Sequence, residues 1–498
     1  MGAPPLIFRT SRIVRWGAHG VTPLQISRPL TKTTQQAWLP ELVYVDGEFR
    51  SDVAVVSDDG GRVVGLLPTD DVKRQAESYR TLVSLKNKAL LPGLVNSHSH
   101  AFQRVIRGRT EYRSQHSTDS FWTWRELMYA AANKLDADDI YHASKMAFLE
   151  MALSGITAVG EFHYIHGAPN GRAYEDPNLL AKEVVRAAND VGLRISLLRV
   201  AYERAGFQKE ANPLQVRFIE DTNTYLTNLE NLMAEKSDTV NVGAAPHSVR
   251  AVSLDYLKQV DAFVRKQECP VHMHVAEQPA EVSACIEEYG RSPVALLDTE
   301  GLLHEKFTAV HAIHVTPKAI DALARNGATV CACPTTERNL GDGVIPVDGY
   351  FGAYVAVALG TDSQTQINLL EDARELEYHI RLQRKERNVL TPPDNHGRSA
   401  LAARLFDCAT SSGARSIGFE TGSISVGAPA DFFAVDLDDP SIAGSSLDDL
   451  LTNIVFSVSR TAIRDVVVAG KHIVKDGLHD QQFEIIEKFK DLQSRVWN

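Results

Sequence analysis

The chain has 498 residues, 44% hydrophobic and 23% charged, with a net charge of −11. That balance reads as a soluble globular protein with ample core; the acidic surplus argues against nucleic acid as a partner, and no apolar run is long enough to cross a bilayer. Cys269, Cys285, Cys331, Cys333 and Cys408 contain no Cys-x-x-Cys pair, so neither a disulfide framework nor a zinc ribbon is suggested, and a reducing, cytoplasmic setting is expected.

The start of the chain carries Arg9, Arg12, Arg15, Arg28 and Lys32 but no acid before residue 41. Even spreading of the acids would place about five in that window. Residues 1–37 are therefore expected to lie outside the fold, as a transit-type leader, which would make the location mitochondrial, or as a disordered tail. From Trp38 onward come short extended stretches at 42–45, 53–56 and 63–66, and similar ones return at 427–435 and 465–474. Residues 38–92 and 425–498 are expected to combine into one small β-sandwich domain with a C-terminal tail. Between them, eight apolar, β-rich runs alternate with helical patterns. The first is the run from Leu90 to His100, and the others cover 157–166, 194–202, 239–248, 270–277, 307–315, 328–337 and 357–363. This predicts an α/β fold, a TIM-like (β/α)8 barrel over residues 93–424, with its site at the carboxyl ends of the strands.

Those ends carry the chemistry. The first run closes on His98-Ser99-His100, where alternation puts both imidazoles on one face. The fifth reads Val271-His272-Met273-His274, followed by Glu277; the sixth carries His311 and His314, and the eighth ends in Asp362. His98, His100, His274 and Asp362 make a plausible set of N and O ligands with one position left for water. His272 and His274 could exchange roles, and His274 is preferred because Glu277 follows at the mouth of the strand. The fourth run ends Ala245-Pro246-His247, without a lysine to bridge two metals, so one divalent ion per chain is expected: Zn2+, with Fe2+ as the alternative.

With these residues in view, the sequence resembles the amidohydrolase superfamily over nearly everything after residue 40. A narrower resemblance rests on His98-Ser99-His100-Ala101-Phe102-Gln103-Arg104, on Asp119-Ser120-Phe121-Trp122-Thr123-Trp124-Arg125-Glu126-Leu127-Met128-Tyr129, and on Glu161-Phe162-His163-Tyr164. Further matching stretches run from His247 to Val252, His274 to Gln278, and Thr335 to Gly343. These look like the formimidoylglutamate deiminase family, with the Phe-Trp-x-Trp-Arg segment the most specific. The resemblance implies hydrolysis of N-formimino-L-glutamate, a small dicarboxylate from histidine degradation, to N-formyl-L-glutamate and ammonia. It also implies that Gln103, Arg125, Tyr164, His247 and Arg250 hold the substrate. Arginine forks suit a diacid independently of any resemblance.

In the expected mechanism Asp362 or Glu277 takes a proton from the attacking water, His311 stabilises the tetrahedral adduct, and Glu277 protonates the departing nitrogen. One departure stands out: Gln364 occupies a position where many superfamily members carry histidine. The expected assembly is a homodimer. Two competing readings are a nucleobase or aminopurine deaminase on the same metal set, and a catalytically silent barrel acting as a scaffold.

Overall fold

The computed structural model describes residues 34–112, 120–169, 171–395 and 397–497. The expectations for residues 1–33, and Asp119 of the aromatic segment, lie outside the described residues. Five strands come first: β1 Gln36–Val45, β2 Glu48–Ser51, β3 Val53–Ser57, β4 Val63–Pro68 and β5 Thr81–Pro92. Eight more follow: β6 Leu94–Ser99, β7 Ile156–His163, β8 Arg194–Ala201, β9 Val240–Pro246, β10 Val271–Val275, β11 Phe307–His311, β12 Thr329–Ala332 and β13 Ala356–Leu359. They pair in parallel and in sequence order. Every residue of β7, β8 and β9 is buried, which is why these strands are predominantly apolar on both faces rather than alternating apolar and polar.

The cover of helices follows from periodicity. In the helix Leu179–Val191, Leu180, Ala181, Val184, Val185, Ala187, Ala188 and Val191 are buried, a stripe at the 3.6-residue repeat.

The barrel closes where its first and last strands end. The His100 amide donates to the Asp362 carbonyl and the Asp362 amide to the His98 carbonyl, both at 3.0 Å. Asn96 reinforces the seam, accepting from the Thr361 amide at 3.0 Å and donating to the Thr361 hydroxyl at 2.8 Å. Gly360 is what permits this approach, because a Cβ there would lie 2.8 Å from the His98 Cβ.

The terminal segments do join, through one continuous nine-stranded mixed sheet. The later strands are β14 Phe432–Asp436, β15 Ile463–Val468, β16 Lys471–Lys475 and β17 Leu478–His479. The order is β17-β16-β15-β14-β5-β1-β3-β4, with β2 hanging from β1. The join is β14, antiparallel to β5, and buried Trp38 packs edge-on to Phe432 across it, ring centres 5.2 Å apart. The length of β5 is not apparent in the sequence, since Lys86-Asn87-Lys88 breaks its apolar pattern. Lys88 is accommodated by ion pairs to Asp465 and Asp476 at 2.7 and 2.9 Å.

The rest of the C-terminal region returns to the barrel. Arg374 on the helix Leu369–Arg384 donates to the Val455 carbonyl on the helix Leu447–Ser457. On the last helix, Gln482–Trp497, the Trp497 indole donates to the Val105 carbonyl, and Lys134 donates to that of Val496. All five cysteines are free and buried. Among the described residues no helix is long and apolar enough to cross a membrane.

Candidate active site

His98, His100, His274 and Asp362 meet at the carboxyl end of the barrel, each offering a ligand atom within 4.8 Å of the others. The His98 and His100 Nε2 atoms are 3.2 Å apart, and they stand 3.4 and 3.2 Å from Asp362 Oδ1. Two imidazoles are turned by backbone carbonyls. His100 Nδ1 donates to the Phe162 carbonyl at 2.9 Å and His274 Nδ1 to that of His247 at 3.0 Å, so their Nε2 lone pairs face the cluster. Burial holds His98 down to about 3 and His274 well below the usual histidine range, which leaves both neutral. Burial alone would raise the Asp362 carboxyl, but the neighbouring His100 and His98 imidazoles outweigh it and hold it well below the usual carboxylate range. Converging lone pairs beside a buried carboxylate repel one another unless a cation lies among them, so the donor set fits a divalent metal.

Several strand ends adopt the left-handed region without glycine: Ala276 (φ 51°), His311 (φ 69°), Ala312 (φ 49°), Asp362 (φ 47°) and Gln364 (φ 62°). Such conformations cost energy and persist where the surroundings impose them. Here they turn the chain as each strand gives way to its loop, beside the cluster.

Around it stand the other sequence-predicted residues. His311 Nε2 lies 3.7 Å from Glu277 and 3.6 Å from Asp362, while its Nδ1 is 3.3 Å from Glu337. Burial opposes its protonation, but Glu277 and the other carboxylates raise it well above the usual histidine value. Burial pushes Glu277 up to about 7, with Asp362 adding and His311 opposing. A small cavity of about 40 Å³ reaches the cluster, bordered among others by Gln103, Arg125, Tyr164, His247, Arg250 and Glu277. Gln103 donates to the Tyr164 hydroxyl at 3.1 Å, and its own carbonyl oxygen is buried without a partner. Arg125 and Arg250 also border a wider chamber of about 510 Å³ on their other side. The structure thus brings together all the residues singled out, except that His272 points elsewhere, bonded to the Ser416 carbonyl at 2.8 Å, and His314 bonds the Asp342 carbonyl.

Arg125 and Arg250 each have a buried guanidinium nitrogen with no partner. Both also lie over Trp122, at 4.6 and 5.8 Å from the ring centre. The ring supports one face of the Arg125 guanidinium and leaves its edge free.

A model of the amidohydrolase family matches residues 89–473. The chain belongs to the amidohydrolase family. A formimidoylglutamate deiminase of Pseudomonas aeruginosa is 38% identical over 393 residues, covering 78% of this chain and 86% of that protein. A 5-methylthioadenosine/S-adenosylhomocysteine deaminase of Pyrococcus abyssi is 28% identical over 459 residues, 91% of this chain and 97% of its own. The crystal structure of an amidohydrolase from Brucella melitensis superposes with a TM-score of 0.82 at 29% identity, covering 94% of this chain and all of that one. Like its family, this protein is a metal-dependent hydrolase acting on C–N bonds.

Sequence reasoning marked Gln364 only as a departure, and it passed over Glu161 and the role of Tyr129 in this amidohydrolase site. Gln364 holds the seam from behind, donating to the Ser99 hydroxyl at 2.7 Å and accepting from that of Thr361 at 3.0 Å. The Ser99 hydroxyl in turn donates to Glu161 at 2.5 Å. Tyr129 borders the cavity one helical turn beyond Arg125, on the helix Phe121–Ala132. The i, i+4 spacing was a signal that could have found it.

Proposed function

We propose that the chain hydrolyses N-formimino-L-glutamate to N-formyl-L-glutamate and ammonia, a step in histidine degradation. The observation that carries this reading is the pair of unpartnered guanidinium nitrogens, on Arg125 and Arg250, in the wall of the cavity that reaches the cluster. A buried, unpaired donor is costly. Two of them call for an anion, and a diacid brings two carboxylates where a neutral purine brings none. The similarity to the Pseudomonas aeruginosa deiminase supports the same choice.

In this reading His98, His100, His274 and Asp362 hold one ion, Zn2+ with Fe2+ as the alternative, in the barrel of residues 93–424. When bound, such an ion activates a water and polarises the reacting carbon. Arg125 and Arg250 grip the carboxylates, while Gln103, Tyr164 and His247 orient the rest of the substrate. Glu277, or Asp362 in its place, takes a proton as the new C–O bond forms. His311, between Glu277 and Asp362, stabilises the adduct. That proton passes through Glu277 to the nitrogen, and the water's second proton follows it from the adduct's hydroxyl as the C=O bond forms and the C–N bond breaks, so that ammonia leaves and the formyl group remains.

The deciding experiment measures ammonia released by the metal-loaded protein from N-formimino-L-glutamate, with guanine, cytosine and 5-methylthioadenosine as controls. Turnover confined to the first supports the proposal; preferential turnover of a base or nucleoside overturns it.

A further inference from the structure

Behind Arg125, three buried side chains form a closed hydrogen-bond triangle. The Tyr129 and Tyr202 hydroxyls are 2.9 Å apart, and Gln215 Nε2 lies 3.2 Å from the first and 2.9 Å from the second. The amide orientation of Gln215 is set independently, because its oxygen accepts the Asn212 backbone N–H at 3.2 Å. The nitrogen therefore faces the phenols and spends both of its hydrogens on them.

The remaining protons can be counted. Two phenols share one mutual hydrogen bond, so one O–H donates to the other oxygen and the second O–H has no acceptor within the triangle. If the spare proton were on Tyr202, it would be lost in the interior, since Tyr202 is 1% exposed and borders neither the small cavity nor the wide chamber. A buried donor left unmade is the costly outcome. Tyr129 borders the small cavity, and Arg125 lies 5.6 Å from its ring centre. Donation from Tyr202 to Tyr129 satisfies everything inside and leaves the Tyr129 O–H free at the cavity.

We infer that Tyr129 is a substrate-binding residue that donates its hydroxyl proton to a carboxylate gripped by Arg125, with Tyr202 and Gln215 as positioning residues that force that proton outward. This rests on the dicarboxylate reading above and adds a third donor to the two guanidinium groups. Gln215 and Tyr202 leave Tyr129 no acceptor but the ligand, so the hydroxyl favours a ligand that places an accepting oxygen there over one that has none.

The test compares wild type, Tyr129→Phe and Tyr202→Phe. Calorimetry with N-formyl-L-glutamate and with a monocarboxylate analogue reads binding without turnover, and kcat and KM are measured for N-formimino-L-glutamate. Tyr129→Phe should weaken diacid binding on the order of 10- to 100-fold, the usual worth of a hydrogen bond to a charged group. It should leave binding of the analogue lacking the contacted carboxylate unchanged, and the loss should appear in KM more than in kcat. Tyr202→Phe should cost less, since Gln215 still occupies the Tyr129 oxygen. Equal losses for diacid and analogue, no loss with Tyr129→Phe, or a larger loss with Tyr202→Phe would overturn the assignment. Failure of the deiminase reading shows up separately, as absent turnover of N-formimino-L-glutamate by wild type.

Discussion

The floor and the wall of the cavity are built on different terms. On the floor, the orienting bonds of His100 and His274 come from backbone carbonyls, and the bonds that close the barrel are those that set His98, His100 and Asp362. On the wall, Arg125 comes from a helix and Arg250 from the loop after β9; both are supported by aromatic rings and left with free donors. The floor is inseparable from the fold, so it suits chemistry common to a family. The wall can change without disturbing the barrel, and on the proposed reading it is where substrate choice would be made. Relatives that match most of this chain yet carry different names, a formimidoylglutamate deiminase and a 5-methylthioadenosine/S-adenosylhomocysteine deaminase, are what this division leads one to expect.

The comparison breaks most sharply at the floor. His98→Ala or Asp362→Ala should reduce the metal from about one ion per chain to near none and bring turnover down to the assay background, measured by elemental analysis and ammonia release. Two ions retained after exhaustive dialysis of wild type, both needed for turnover, would overturn the single-ion arrangement. Glu277→Gln should separate the two functions of the floor. It keeps the shape and leaves the proposed ligands untouched, so metal content should hold while kcat falls about 10²–10⁴-fold.

The wall should respond differently. Arg125→Met and Arg250→Met should each lower kcat/KM for N-formimino-L-glutamate roughly 30- to several-thousand-fold, since losing one partner of a buried charge pair typically costs about 2–5 kcal/mol. Metal content should not move. A variant that lost metal along with affinity would show that floor and wall are not independent.

The same division explains what the sequence discloses. His98, His100, His274 and Asp362 are legible because strand alternation and strand ends are local patterns, and the βα repeat announces the barrel around them. Tyr129 is legible only as a residue on the same helix face as Arg125, because a tyrosine in Phe-Trp-x-Trp-Arg-Glu-Leu-Met-Tyr otherwise reads as helix core. Its partners Tyr202 and Gln215 come from the end of β8 and the loop beyond, and only tertiary closure brings them together. The paired lysine in β5 and the return of the last helix to the barrel are hidden for the same reason: each depends on contacts hundreds of residues apart.

The smallest expected effect tests how far the floor extends behind its ligands. Gln364, which stands where many superfamily members carry histidine, touches no substrate-facing atom in the structure; it donates to the Ser99 hydroxyl and the Asp362 carbonyl, at 2.7 and 3.1 Å, and accepts from Thr361. Ser99 lies between the two histidines, so Gln364 acts on them through the backbone of the seam. Outer groups of this kind typically change metal affinity by about 10–100-fold. Gln364→Ala should therefore weaken metal binding within that range, measured by competition with a chelator, and leave the diacid-over-monocarboxylate preference of the fully loaded enzyme intact. Gln364→His should recover part of the affinity only if the imidazole reaches Ser99. A change in substrate preference with metal affinity unaltered would move Gln364 from the floor to the wall, and with it the boundary between what the fold sets and what the loops choose.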